Sequence, residues 1–543
     1  MRSIQPRQTY SMRTRDGVRL DADVYFPEGE GPFPVLLMRQ PYGRAIASTI
    51  VYAHPRWYAA HGYIVVIQDV RGRGTSEGVF DLFAYEVADG EDAVNWAAQL
   101  PGSDGQVGMY GFSYQGMTQL QAAQAKPPAL KTIAPAMTGY HLYEDWASEN
   151  GALYFQLGLM WAIQLAAETA RIQGDVAQYQ ALLAAAHDLP LRDEVPLCPD
   201  ALAGLDSFWH DWVGQSANAD YWRKLTPQLK DVDLPMLHIG GWFDPYLRGD
   251  VRLYEEMAAR SEYLHHFWIG PWGHIPWGHQ VGDVDFGPVA MSPVDSLQIR
   301  WFDAVLKGKN LAELSAQLPV CLFEMGRNQW QQLETWPMGA RQPYYLQSDG
   351  LANIRADSGV LSARPAAAKT YDLLVHDPWN PAPAKGGHWS APSGAFDRTV
   401  VDLRGDILTY TSPPLTEELR VAGVVEVVCA IASSTPSYDL CAVLSRVTEG
   451  RVFNLTQGYC RLTAAVDASL EVTLPLHPTC FSLAVGECLR LSLSAACFPA
   501  FSINPGTGVL PKNARLIEAQ ITTLTVALGG KQGSSIRLPL MPD

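Results

Sequence analysis

Residues 107–118, VGMYGFSYQGMT, constrain the fold of this chain more tightly than any other stretch. The apolar run 107–112 has the length and composition of a buried strand, and residues 117–125 are good helix formers. Between them lie Gly111, Phe112, Ser113, Tyr114, Gln115 and Gly116, a turn of the G-x-S-x-G kind whose second glycine stands three residues after the serine. Strand, tight turn and helix in that order make a nucleophile elbow. Such a turn strains the serine backbone, holds Ser113 Oγ clear of the sheet and leaves the Tyr114 N–H free for an oxyanion. It needs small residues two places either side of the serine, because strand and helix pass close there. The pattern alone is weak. The flanking strand and helix separate it from a chance Gly-Ser-Gly turn.

The rest of the N-terminal half fits the same architecture. Residues 18–26 alternate apolar and polar, as an edge or antiparallel strand does. Runs 35–38 and 63–67 are continuously apolar, the mark of parallel strands buried on both faces. Each is followed by a polar loop, RQPYGR at 39–44 and QDVRGRGTSEG at 68–78, at the strand end where open α/β sheets place their sites. An amphipathic helix is expected at 86–100 and a strand at 130–137. From 141 to 225 long helical patterns (153–172, 176–187) predict an all-helical cap inserted between sheet strands. The sheet resumes at 236–242 and 265–272, with a helix at 247–260 between them. Ser292 and Pro293 start a closing helix, 296–307. From 315 onward short Val/Leu/Thr-rich runs such as 399–403, 423–431, 440–447 and 489–494 alternate with turns, which predicts an all-β sandwich. The expected division is 1–140 and 226–314 for the α/β domain, 141–225 for the cap and 315–543 for the β domain.

Composition excludes several functions. At 543 residues the chain is too long for one core. A net charge of −16 with no basic cluster argues against nucleic-acid and anionic-membrane partners. No apolar run reaches the length of a membrane span, and the N-terminal MRSIQPRQTYSMRTRDG is not a signal peptide. The eight cysteines lack metal-ligand spacing, so free thiols in a reducing cytoplasm are expected and no metal or other cofactor.

An elbow serine needs an acid and a histidine further along, in the order Ser, Asp, His. Asp244 stands just past the strand ending in GGWF and His274 just past the one ending in GPWG. His274 would take the Ser113 proton, and Asp244 would fix its tautomer. Asp244 before Pro245 also suits an ordinary turn. His279 is the rival base, and His265 and His266 weaker ones. As metal ligands, His274 and His279 lack i, i+4 spacing and an acidic partner.

RQPYGR, QDVRGRGTSEG, GMYGFSYQG, GGWFD and GPWGH, with DPWNPAPAKGG at 377–387 and CFPAFSINPGTG at 497–508, resemble the cocaine esterase-like (CocE/NonD) hydrolases, relatives of the X-prolyl dipeptidyl aminopeptidases and α-amino acid ester hydrolases. The resemblance covers nearly the whole chain. It implies an α/β-hydrolase domain, a helical cap and a C-terminal jelly roll, and it implies that the Tyr42 phenol joins the Tyr114 amide as oxyanion donor. It also places Trp146 and Trp161 where cocaine esterase cradles its acyl ring, Tyr246 at another aromatic position, and Phe83 where that enzyme has a histidine. These residues imply a bulky apolar or aromatic acyl group, although cap tryptophans also serve simply to hold helices together. Asp145 matches one of three carboxylates that hold the substrate ammonium in α-amino acid ester hydrolases. The other two positions are Tyr246 and Leu247. Arg71 and Arg73 would organise the loop or pair with nearby acids.

The reading is a serine carboxylesterase acting on a small-molecule ester. Its alternatives are a peptidase, amidase or α-amino acid ester hydrolase acting on an acyl group with a free amine, and a non-catalytic jelly-roll binding protein. A homo-oligomer is compatible with the sequence.

Overall fold

The computed structural model describes residues 1–45, 49–530 and 533–541. Its N-terminal half is built on one ten-stranded mixed sheet, made of β1 (Gln8–Arg13), β2 (Arg19–Tyr25), β3 (Phe33–Gln40), β4 (Ile64–Asp69), β5 (Ser103–Phe112), β6 (Leu130–Ala136), β7 (Met236–Phe243), β8 (His265–Gly273), β9 (Val320–Glu324) and β10 (Gln329–Leu333). The spatial order is β1-β2-β4-β3-β5-β6-β7-β8-β9-β10. From β4 to β9 neighbours pair in parallel, while β1–β2, β2–β4 and β9–β10 are antiparallel. Every residue of β3, β4 and β7 is buried, which is why those strands read as unbroken apolar runs. Each fully buried Val, Leu or Ile there contributes about 1.5–3 kcal/mol.

Helices α1 (Glu86–Ala97) and α2 (Tyr114–Gln124) flank β5 in the chain, α5 (Leu247–Arg260) joins β7 to β8, and α6 (Val294–Lys307) precedes β9. Ser292 Oγ accepts the Val294 N–H at 3.3 Å at the start of α6. Between β6 and β7 the chain leaves the sheet for a helical cap containing α3 (Phe155–Gln173) and α4 (Val176–His187). Gly174, at φ +76°, ends α3, and Asp175 starts α4 by accepting the Gln178 N–H at 3.0 Å. The cap's apolar faces share one core with Val70 and Leu82 from the loop after β4 and with Tyr114 and Met117 of α2. The cap therefore sits over the C-terminal ends of the strands.

The C-terminal part is a jelly roll whose main sheet has eleven strands between Arg341 and Pro539. Its longest pair is Ser437–Thr448 against Arg451–Thr463. Its core is continuous with that of the α/β sheet, because Trp242, Phe243, Phe267 and Ile269 belong to the same buried cluster as Leu491 and Val526.

One local expectation fails. Past residue 314 two more strands pair onto the sheet, β9 with β8 and β10 with β9. Both strands are short and antiparallel to each other, so their composition is that of the β domain that follows. Residues 399–403 are not a strand. Thr399–Asp402 is one helical turn, started by Asp397, which accepts both the N–H and the hydroxyl of Thr399, and closed by the Arg398–Asp402 ion pair at 3.0 Å. These side-chain bonds offset the β-propensity of Val400 and Val401.

All eight cysteines are free and six are buried. Among the described residues no helix is long and apolar enough to cross a membrane.

Candidate active site

Ser113 sits between β5 and α2 at φ +59°, ψ −126°, a conformation that costs a non-glycine residue about 1–3 kcal/mol. The turn is held on both sides. The Ser113 N–H donates to Ala136 O at 2.9 Å, and its carbonyl accepts from Gly116 and Met117. Gly111 lies at φ +138°, where a Cβ would come within 2.4 Å of the Gln115 Cβ. A Cβ on Gly116 would come within 2.7 Å of the Thr138 Cβ. The expectation of a small residue two places either side of the serine holds at Gly111 and fails at Gln115, the second glycine standing one place further on. The intervening Gln115 is large and buried, and its Oε1 accepts the Phe112 N–H at 3.2 Å, bracing the turn. The Tyr114 N–H opens α2 and has no intrahelical acceptor. The Tyr114 ring is turned away, stacked on Phe83 at 4.6 Å with its hydroxyl donating to Glu86 at 2.9 Å.

Asp244 and His274 follow β7 and β8, which are parallel neighbours, so the two loops lie side by side. Asp244 is fully buried. Its Oδ1 accepts the Tyr246 N–H at 2.8 Å, and its Oδ2 meets His274 Nδ1 at 2.5 Å. That bond fixes the imidazole with Nε2 free. His279 instead pairs with Asp285 at 2.7 Å, with 42% of its side chain exposed. His265 and His266 lie inside β8, where burial pushes both imidazoles down to about 4.

Ser113 and His274 line one cavity of about 360 Å³ together with Tyr42, Trp146, Trp161 and Tyr246, within the range of small-molecule sites. Trp146 stacks on Tyr246 at 4.5 Å and lies 5.8 Å from Trp161. The Tyr42 hydroxyl accepts from Trp161 Nε1 at 3.1 Å, which leaves its own proton to donate. Burial raises the Tyr42 pKa, so the phenol stays protonated.

Phe83 and Asp145 do not line this cavity. Phe83 is buried behind it, against Tyr114 and edge-on to Trp146. Asp145 is fully buried, accepts the His141 N–H at 2.8 Å and lies 3.3 Å from the Arg252 guanidinium. Arg71 pairs with Asp89 and Asp16 at 2.7 Å each. Arg73 lies over the Phe80 ring and donates to Leu165 O and Thr169, tying the loop after β4 to α3.

Other lining residues escaped the sequence reading. Leu157, Met160 and Gln164 share the α3 face of Trp161, and their i, i+3, i+4, i+7 spacing was the available signal. His388, Ser390 and Ser393 come from the jelly roll, and no local pattern marks them.

Residues 16–276 match the family model described as X-Pro dipeptidyl-peptidase (S15 family), and residues 315–537 match its C-terminal non-catalytic domain. The chain is also 30% identical to the cocaine esterase of Rhodococcus sp. over 97% of each protein. The chain belongs to this S15, cocaine esterase-like hydrolase family. Among solved structures, an aminopeptidase from a marine-sediment Thaumarchaeota archaeon superposes with a TM-score of 0.84 at 23% identity, covering 99% of this chain and 96% of that one. An α-amino acid ester hydrolase superposes at 0.80 and 22% identity, covering 98% and 96%. Both share the fold of this S15-family chain, an α/β-hydrolase domain with an inserted cap and a jelly roll.

Proposed function

We propose that this S15-family hydrolase is a serine carboxylesterase acting on small-molecule esters with a bulky apolar or aromatic acyl group. Ser113 Oγ attacks the ester carbonyl carbon while His274 Nε2 takes its proton. Asp244 holds the imidazole in the tautomer that leaves Nε2 basic and stabilises the imidazolium. The tetrahedral oxyanion accepts from the Tyr42 phenol and the Tyr114 N–H. The alcohol leaves with the proton from His274, giving an acyl-Ser113 ester that water, deprotonated by His274, then hydrolyses. Residues 141–225 serve as the cap over this chamber, where Trp146, Trp161 and Tyr246 receive the acyl group.

The observation that carries the reading is the Asp244–His274 hydrogen bond at 2.5 Å, opening onto an aromatic cavity that the elbow serine also lines. The 30% identical relative bears the name of an esterase. The amine-recognising alternative finds less support, since Asp145 is engaged by Arg252 and the His141 amide and is absent from the cavity wall. A reducing compartment such as the cytoplasm suits eight unpaired cysteines.

The test is Ser113→Ala. It is expected to fold and to lose roughly 10⁴- to 10⁶-fold in kcat on p-nitrophenyl esters, the scale for a removed nucleophile. An organophosphate should modify Ser113 and no other serine. Modification elsewhere with activity retained in Ser113→Ala rejects the assignment.

A further inference from the structure

Tyr42 follows β3 and Tyr114 follows β5, yet one buried carboxylate stands behind both. Glu86, the first residue of α1, is 3% exposed. Its Oε1 accepts the Tyr114 hydroxyl at 2.9 Å, and its Oε2 accepts from Arg39 Nη1 at 2.5 Å. Arg39 is fully buried near the end of β3, three residues before Tyr42. Its Nε donates to Gln68 Oε1 of β4 at 2.8 Å, and its carbonyl accepts from the Thr118 hydroxyl of α2 at 3.3 Å. Pro41 stiffens the short path from Arg39 to Tyr42. The ends of β3 and β4 and the starts of α1 and α2 are thus tied together around Glu86.

This arrangement bears on the direction of two hydrogen bonds. The N–H of a helix's first residue is not held by the helix's own ladder, so its aim depends on what fixes the residue that carries it. Tyr114 is fixed at its tip by Glu86 and on its face by Phe83, while the Tyr42 ring meets it edge-on at 6.4 Å. Glu86 itself cannot drift from α2. At Gly90, one turn along α1, an added Cβ would come within 2.9 Å of the Ala122 Cβ. A buried ion pair costs much to desolvate and is often dispensable for stability. Here it also keeps the carboxylate behind the donors neutralised by Arg39. Oxyanion donors, in contrast, must lie within a few tenths of an ångström of their best place, and a displacement of about 1 Å costs roughly 10²-fold in rate.

We propose that Glu86 is a positioning residue for the oxyanion site, holding the Tyr114 N–H through the Tyr114 hydroxyl and the Tyr42 loop through Arg39. This role rests on the reading of Tyr42 and Tyr114 as the oxyanion donors. Glu86 touches no substrate and acts only through the residues it holds.

The test compares the full-length protein with Glu86→Gln and Tyr114→Phe on p-nitrophenyl esters. Active sites are counted by organophosphate labelling of Ser113, so that unfolded protein is left out. Glutamine offers one acceptor oxygen where the carboxylate offers two, so it cannot hold Arg39 and Tyr114 as Glu86 does. Phenylalanine keeps the N–H and the ring at position 114 and removes only the tether. Each variant should lose about tenfold in kcat with KM within about twofold. Each should also bind phenylboronic acid more weakly by a similar factor, because its Ser113 adduct places an oxygen in the oxyanion site. A residue that only stabilised the fold would leave kcat per labelled serine unchanged. The role is rejected if that kcat falls less than about threefold in Glu86→Gln, if the loss appears in KM instead, or if boronate binding is unaltered. Should Glu86→Gln fail to fold, Tyr114→Phe decides on the same three readings. Failure of the parent reading looks different: the organophosphate leaves Ser113 of the unsubstituted protein unlabelled, and the positioning role falls with it.

Discussion

The Tyr42 phenol is partly buried and the Asp145 carboxylate fully so, and their partners give them different work. Tyr42 accepts from Trp161 and keeps its proton for a group inside the cavity. A donor aimed at developing charge acts on the transition state more than on the bound ester. Tyr42→Phe is expected to lower kcat by roughly 10²- to 10³-fold with little change in KM. A raised KM at constant kcat would make it a binding residue instead. Asp145 has no cavity-facing surface and bonds to the His141 amide and Arg252. Asp145→Asn should therefore lower the melting temperature and change kcat/KM for phenylacetyl and benzoyl esters by less than about threefold, with no selective loss on amino-acyl esters. A loss of tenfold or more confined to amino-acyl esters (about 1.4 kcal/mol) would restore the amine-binding role.

At the scale of the element, β8 carries its catalytic candidate at one end and a titrating core at the other. His265 Nδ1 lies 3.2 Å from His238 Nε2, and the His266 ring packs 5.6 Å from Trp301. Burial lowers both β8 imidazoles to about 4, with Asp233 opposing and Arg260 assisting at His265, and Arg300 assisting at His266. In the unfolded chain a histidine titrates near about 6.5. Between about pH 6.5 and pH 4 the unfolded state thus binds more protons than the native one, and stability falls as pH falls. Chemical denaturation at pH 7 and pH 4.5 should show this acid loss, and His266→Phe, which removes one titrating group, should show less of it. An equal loss in the variant would place the acid sensitivity elsewhere.

Across the whole molecule, the jelly roll is joined to the cap by a buried carboxylate. Glu149, in the two-residue strand Ser148–Glu149, takes hydrogen bonds from His477 and from the Tyr459 amide. Burial raises its pKa. Glu149→Ala leaves the Tyr459 N–H without an acceptor in the interior and is expected to cost roughly 2–5 kcal/mol in denaturant unfolding. Glu149→Gln, which retains a carbonyl oxygen, should cost less. A loss under about 1 kcal/mol in the alanine variant would show that the apolar core shared by Tyr154 of the cap and Phe501 of the jelly roll carries the junction alone.

Sequence by itself determined what depends on near neighbours. The unbroken apolar runs of β3 and β4 require a sheet buried on both faces, and the change from helical period to short β runs marks the jelly roll. The strained turn around Ser113 is written in Gly111 and Gly116, because strand and helix leave no room there for a side chain. Tertiary structure decided whatever depends on residues far apart in the chain. The antiparallel pair β9 and β10 joins the sheet only because β8 offers an open edge, and the turn Thr399–Asp402 is held in place where the Arg398 N–H donates to Val452 O and Ser492 donates to Asp402. Which histidine meets Asp244 depends on β7 and β8 lying side by side. The removal of Asp145 from the cavity depends on Arg252 of α5. His388, Ser390 and Ser393 come to the cavity because the jelly roll folds back onto the strand ends, more than 270 residues after Ser113, a contact that no local periodicity encodes.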